Sequence, residues 1–283
     1  MTATHPISTS LSPQKQRWQF PWVWRITVFY LLVMLAVPIA ALLSRASSAG
    51  PLHFWRVATR AIALSAYEVT FVTALIAALI NGIFGTLIAW VLVRYSFPGK
   101  RFFDAVVDLP FALPTAVAGL TLATVYSENG WIGSLLAPFG IRIAFSRWGV
   151  AVAMLFISLP FVIRTVQPVL TEMEKDVEEA AWSLGATHGQ TFWRVILPPL
   201  MPAILTGVAL GFSRAVGEFG SIVIISSNTP FRDLIASVLV FQSLEQYDYE
   251  AATIIGTVML LVSLAILFLI NLLQAWGRRY AER

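Results

Sequence analysis

The stretch EAAWSLGATHGQTFWRVILP, residues Glu179 to Pro198, has the pattern of two short helices joined by a turn, set between two long apolar stretches. Acidic residues gather where the first helix begins, and the partial positive charge of a helix N-terminus favours them there. Val177, Ala181 and Leu184 are spaced so that they share one face of this helix. The stretch therefore predicts an amphipathic hairpin on a polar side of the chain.

The turn and the second helix of this hairpin have their own signals. Gly185 stands where a left-handed cap ends a helix, and Thr187 with Gln190 has the spacing of a capping box that begins the next one. Pro198 and Pro199 are predicted to end the second helix. These residues alone fit two interpretations, a hairpin that only faces solvent and an element that docks onto a partner.

The composition places the rest of the chain in a membrane. Of the 283 residues, 58% are hydrophobic and only 12% are charged, and the mean hydropathy is +0.76. A membrane-spanning helix needs about 20 mostly apolar residues, and six such stretches leave too little polar surface for a soluble globule. We predict an all-α integral membrane protein with six transmembrane helices. The stretches are Ile26–Leu43, Val69–Val93, Ala105–Tyr126, Trp148–Leu170, Leu200–Ile225 and Ala252–Trp276.

The basic residues predict how the chain is oriented. The side with the N-terminus carries about twice as many Lys and Arg as the other, which indicates that it is cytoplasmic. Both termini are then cytoplasmic, with a tail at 1–22, a transmembrane domain at 23–276 that includes a loop at 171–199, and a tail at 277–283. The first apolar stretch is longer than that of a cleaved signal peptide, so we expect an uncleaved anchor. The asymmetry also explains the pI near 9.6 and implies no nucleic-acid partner.

Motifs for several kinds of catalysis are missing from the sequence. No Gly-x-x-x-x-Gly-Lys-Ser/Thr occurs, so the chain has no P-loop for ATP. It has no cysteine, and its histidines, His5, His53 and His188, are far apart, which predicts no metal site. We predict no catalytic residue. An enzyme acting within the membrane is the alternative, with Asp108 and Glu218 as its acids.

Two of the predicted spans carry features that are costly in lipid. Arg214 and Glu218 lie four residues apart in the fifth stretch, so they can neutralise each other, and Arg214 is the one cation that we predict inside a span. In the third stretch, Asp108 is followed by Pro110 and Pro114, each of which removes a backbone donor. Two interpretations of these prolines stay open, a broken helix beside a translocation route and a kink that serves packing.

The opening stretch resembles a loop of one transporter family. Permease subunits of bacterial ATP-binding-cassette importers dock onto their ATPases through a loop with this pattern. The matching residues are Glu179-Ala180-Ala181, Gly185, Val195 and Leu197-Pro198. The family usually has Ile where Val195 stands, which is a conservative difference.

Other runs narrow the resemblance to importers of oxyanions. Arg214 to Gly220, RAVGEFG, looks like the RAxGE(Y/F)G stretch of their permeases. Four further runs look like the T-type permease subunits of sulfate/thiosulfate importers, so that the resemblance covers most of the chain after the first helix. These runs are Ala89 to Lys100, Asp108 to Gly119, Leu159 to Leu170 and Leu244 to Asp248.

The resemblance implies the type I importer permease fold, with a cytoplasmic coupling helix in the 171–199 loop. It implies that Glu179, Ala180, Ala181, Gly185, Val195, Leu197 and Pro198 couple the chain to an ATPase. Asp108, Pro110, Pro114, Arg214 and Glu218 are then candidates for lining or gating the pathway. The implied partners are two ATPase subunits, which use ATP and Mg, a second related permease and an extracytoplasmic sulfate-binding protein. This chain would bind no cofactor, and it would lie in the cytoplasmic (inner) membrane of a bacterium.

Two alternatives to sulfate import stay open. The substrate could be molybdate or another tetrahedral oxyanion, since Phe219 stands where sulfate importers often have Tyr. A self-contained carrier or channel is the competing class. Such a protein would have coupling acids or an internal repeat around the membrane midplane, and few such acids are present.

Overall fold

A computed structural model describes residues 21–281, and within them the side chains of residues 22–272. Every regular element in this range is a helix. The main helices are α1 (Trp22–Ser48), α2 (Ala61–Arg94), α3 (Lys100–Val107), α4 (Thr115–Tyr126), α5 (Arg147–Glu172), α6 (Lys175–Ser183), α7 (His188–Val216), α8 (Ala236–Glu245) and α9 (Tyr249–Ala281). Short helices lie between them at Pro51–Ala58, Leu109–Ala112, Gly133–Leu136, Ala137–Phe139 and Ile222–Ile225.

The helices near the two ends of the chain can be compared with the predicted tails. Residues up to Arg45 form a unit of their own, whose described part is most of α1, a helix with a mean hydropathy of 2.6 and one π-helical turn at Leu32–Ala36. The predicted tail at 1–22 lies almost wholly outside the described residues. At the other end, α9 continues to Ala281, within the predicted tail at 277–283.

Five helices in the described range are long and apolar enough to cross a membrane, namely α1, α2, α5, α7 and α9. They account for five of the six predicted spans. The fifth span differs from its predicted range, because α7 begins at His188 and ends at Val216 rather than at Ile225.

The remaining predicted span, Ala105–Tyr126, is not one continuous helix. This stretch is divided among α3, the short helix Leu109–Ala112 and α4. Leu113 and Pro114 between the last two have extended ψ angles of 134°, because a residue before proline avoids the helical region and Pro114 cannot donate to the turn before it. The broken helix that the two prolines suggested is therefore present.

The core of the main unit is formed by α2, α5 and α7, which pack closely through small residues. A Cβ on Gly82 would lie 2.8 Å from Val208 Cγ2, and one on Gly85 would lie 3.0 Å from Val162 Cβ. The amide of Asn81 donates to the Leu155 carbonyl at 2.9 Å and so satisfies a polar group that is buried between α2 and α5. These contacts hold the three helices at short range along their length.

The turn after α6 has the geometry that its sequence predicts. Gly185 has a φ of +84°, and the amides of Gly185 and Ala186 donate to the carbonyls of Trp182 and Ala181 at 2.9 and 3.1 Å, which is the hydrogen-bond pattern of a Schellman cap. Thr187 and Gln190 form the predicted capping box at the start of α7.

The prediction that Pro198 and Pro199 end the second helix is wrong. The helix runs without interruption from His188 to Val216 and passes through a π-helical turn at Phe192–Ile196. The amide of Leu197 there donates to the Phe192 carbonyl, five residues back. This wider turn changes the bonding pattern where the prolines cannot donate, so the helix can continue through them.

Candidate functional site

Helix α6 turns an apolar face outward from the chain. Leu184, just after it, is 89% exposed and Val177 is 50% exposed, although both are large and apolar. Glu179 and Ala180 are exposed beside them, and Ala181 is partly buried. A small helix with exposed apolar residues on a polar side of the molecule has the form of a docking element.

The later residues of the predicted coupling set lie where the loop joins α7. Val195 and Leu197 are partly buried, Pro198 is exposed, and Ile196 between them is fully buried in the cluster formed by the ends of α2 and α5. The sequence signature therefore mixes a surface part, around Glu179, with a part that packs the loop onto the helix bundle.

Residues that sequence reasoning missed attach α6 to the bundle. Glu178 is buried, and its Oε1 lies 2.8 Å from Nη2 of Arg94, the last residue of α2. Trp90 stacks on Phe192 with ring centroids 4.9 Å apart. A cavity of about 390 Å³, lined by Trp90, Arg94, Glu178 and His188 among others, lies between the loop and the end of α2.

Arg214 and Glu218 form the predicted ion pair. Arg214 Nη1 lies 2.7 Å from Glu218 Oε2, while the other carboxylate oxygen accepts from the backbone N–H and the hydroxyl of Ser221, each at 2.9 Å. Glu218 is 1% exposed, and these three contacts supply the partners that a buried carboxylate needs. These contacts hold the chain in the turn that follows the end of α7.

Two of the motifs singled out in the sequence meet at this turn. A Cβ on Gly119 of α4 would lie 2.5 Å from the Ser221 carbonyl oxygen, and one on Gly220 would lie 3.1 Å from Thr115 Cβ. Only glycine lets the two backbones approach this closely. The segment after Pro114 and the segment around Glu218 are thus one packed unit.

Asp108, a predicted pathway residue, is part of a cluster around Arg164. The Arg164 guanidinium donates to both Asp108 oxygens at 2.8 and 2.6 Å, to Asp104 Oδ1 at 2.7 Å and to Gln167 Oε1 at 2.6 Å. The hydrogen bonds from Gln167 and Arg164 hold the pKa of Asp104 below its usual range, which favours its ionised form. The cluster fastens α3 to α5.

Arg164 belongs to α5, which is a candidate span as a whole. The sequence contains a signal for this cluster, because Asp104 with Asp108 and Arg164 with Gln167 are spaced four and three residues apart on their helices.

We expect the substitution Arg164→Met to loosen α3 from the bundle, because two carboxylates lose their shared partner. Val107, at the end of α3, is buried, so a Val107→Cys thiol should react several-fold faster with a polar maleimide when Arg164 is replaced. The chain has no other cysteine to contribute signal. Arg101→Met in the same background removes an exposed cation of α3 and serves as the control, and equal labelling of both variants would contradict the role of the cluster.

Comparison with known proteins adds the family. The family model described as "Binding-protein-dependent transport system inner membrane component" matches residues 81–279. The chain belongs to this family. The matched residues run from Asn81 in α2 into α9. They include the 171–199 loop, the Arg164 cluster and the Arg214–Glu218 turn.

Two relatives match this chain over more than nine-tenths of its length. The chain is 65% identical to "Sulfate transport system permease protein CysT" of Synechocystis sp., and the match covers 100% of both chains. It is 63% identical to "Probable sulfate transport system permease protein cysT" of Chlorokybus atmophyticus, over 92% of this chain and 91% of that one.

A solved structure with low sequence identity shares the fold. The crystal structure of a bacterial alginate ABC transporter, in complex with a periplasmic protein that carries an alginate pentasaccharide, superposes with a TM-score of 0.73 at 19% identity. The match covers 88% of this chain and 91% of the other. The inner membrane component therefore has the all-α permease fold of ABC transporters.

Proposed function

We propose that this permease is the membrane-spanning subunit of an ATP-driven sulfate or thiosulfate importer. The high identity to permeases named for sulfate transport supports the substrate class. The observation that carries the coupling role is the exposed apolar and acidic surface of α6, held by a rigid turn beside the ends of α2 and α5. The chain itself hydrolyses no ATP in this proposal.

The same proposal orients the chain and names its partners. The 171–199 loop and both termini are cytoplasmic in a bacterial inner membrane, consistent with the excess of basic residues on that side. Two ATPase subunits bind ATP and Mg and receive α6 of this chain and the equivalent helix of a second, related permease. An extracytoplasmic binding protein delivers the anion and provides most of the selectivity.

The continuity of α7 suggests how movement of the loop reaches the pathway. The helix contains 29 residues from His188 to Val216, so at 1.5 Å per residue it is about 44 Å long. One end carries the capping box beside α6, and the other carries Arg214 and the turn around Glu218. A push on the loop can therefore reach the Gly119–Ser221 contact along one continuous helix and the turn that follows it.

Arg214 is the candidate contact for the anion in this pathway. Its side chain is 32% exposed, and within residues 22–272 only Nη1 has a partner, the Glu218 carboxylate. The remaining N–H groups are free to donate to a sulfate oxygen in passing. Because Glu218 already neutralises the charge, binding is weak, as a conduit that must release its anion requires.

The coupling role predicts a large difference between two neighbouring glycines. Gly185→Val places a β-branched residue at a φ of +84°, whereas Gly189→Ala adds a methyl group at an exposed helical position with open space around it. We expect Gly185→Val to abolish most sulfate uptake by the assembled importer and Gly189→Ala to leave it near wild type. Uptake of labelled sulfate, normalised to inserted protein and competed with thiosulfate and molybdate, measures both coupling and substrate. Undiminished uptake by Gly185→Val would remove the coupling role.

A further inference from the structure

A single guanidinium ties three helix ends together beside the 171–199 loop. Arg94 ends α2, pairs with Glu178 of α6 at 2.8 Å, and donates from the same Nη2 to the carbonyl of Met173 at 3.1 Å. Met173 is the C-cap of α5. The side chains of Arg94 and Glu178 are 9% and 11% exposed, so the pair is mostly buried at the edge of the cavity described above.

The chain provides no short covalent link between α2 and α6. Arg94 and Met173 are 79 residues apart in sequence, whereas α6 follows α5 directly and leads through a tight turn into α7. Helix α6 is therefore joined to α5 and α7 by the backbone, whereas its direct link to the end of α2 is a side-chain contact. A mostly buried ion pair suits this task, because separating its two charges would leave each of them without its partner away from bulk water.

The two faces of α6 fit this division of roles. Glu178 is buried against the bundle, while Val177 and Leu184 are exposed. We infer that Arg94 is a positioning residue for energy coupling, which fastens α6 to the ends of α2 and α5, so that a partner that displaces α6 moves the packed helices with it. This inference rests on the proposed function, in which that partner is an ATPase.

The first test separates coupling from assembly. The importer is reconstituted with its ATPase and binding protein, and the sulfate transported per ATP hydrolysed is compared between variants. Arg94→Met should retain the co-purified ATPase and its hydrolysis but lower this ratio several-fold. Arg94→Lys keeps the charge but lacks the fork of the guanidinium, so it should recover part of the ratio. Arg101→Met, at an exposed position nearby, should match the wild type.

A second test restores the link by other means. Because the chain has no cysteine, Arg94→Cys with Glu178→Cys gives only these two thiols, which a bifunctional thiosulfonate of about the span of the lost pair can bridge. We expect the double variant to be uncoupled before cross-linking and to regain most of the transport ratio afterwards. A normal ratio in Arg94→Met, or no recovery after verified cross-linking, would overturn the role of Arg94. Failure of the wild-type complex to transport sulfate would instead overturn the proposed function.

Discussion

Glu218→Ala should destabilise the protein by about 3 kcal/mol or more, because it leaves Arg214 without its partner and orphans the buried N–H of Ser221. The carboxylate has 2% of its side-chain surface exposed and accepts three hydrogen bonds, so water cannot readily replace it. We expect a strong loss of folded, membrane-inserted protein and of sulfate uptake. Thermal unfolding of the detergent-solubilised complex measures the first effect.

A double-mutant cycle separates the contribution of the Arg214–Glu218 ion pair to stability from that of the other hydrogen bonds of Glu218. Arg214→Met with Glu218→Ala removes both charges, so its loss of stability should be smaller than the sum of the single losses. Glu218→Gln keeps the shape of the side chain and the bond from Ser221, and should lie between wild type and Glu218→Ala. Additive losses would show that the pairing seen at 2.7 Å contributes nothing to stability.

Gly119→Val should be almost as damaging, for a steric reason. Its Cβ would meet the carbonyl oxygen, Cα and carbonyl carbon of Ser221 at 2.5, 2.7 and 2.9 Å, and a backbone cannot move aside as a side-chain end can. Overpacking of this kind costs about 1–3 kcal/mol, and here it forces α4 away from the turn around Glu218. We expect lower thermal stability together with loss of uptake.

Gly256→Val in α9 is the matched control for this substitution. Gly256 is also a helical glycine, and nothing lies within 4 Å of the Cβ that it would acquire. The intrinsic helix propensity changes equally in both variants, so their difference reports the contact with Ser221. Equal stability of the two variants would contradict the close approach of α4 and the turn.

Local signals in the sequence were the ones that predicted the structure well. The capping box of Thr187 and Gln190, the left-handed Gly185 and the Arg214–Glu218 pair all depend on residues within four positions of one another. Helix geometry alone brings such residues together. The long apolar stretches were likewise readable, since length and hydropathy suffice to define a span.

Contacts between distant parts of the chain escaped prediction. Arg164 and Asp108 are 56 residues apart and Arg94 and Met173 are 79 apart, so their pairing follows only from how the helices pack. The continuation of α7 through Pro198 was missed for another reason. A π-helical turn has no clear signature in residue type, and it changes what a proline does to a helix.

The unbroken α7 also fixes a rotational phase. An inserted residue anywhere between the capping box and Arg214 would turn everything beyond it by about 100° and would point the guanidinium toward a different neighbour. Evolution can therefore vary the length of the loops that connect the spans, but it can alter this segment only by exchanging side chains. Among homologous chains, gaps should cluster outside residues 188–216 and leave that register untouched.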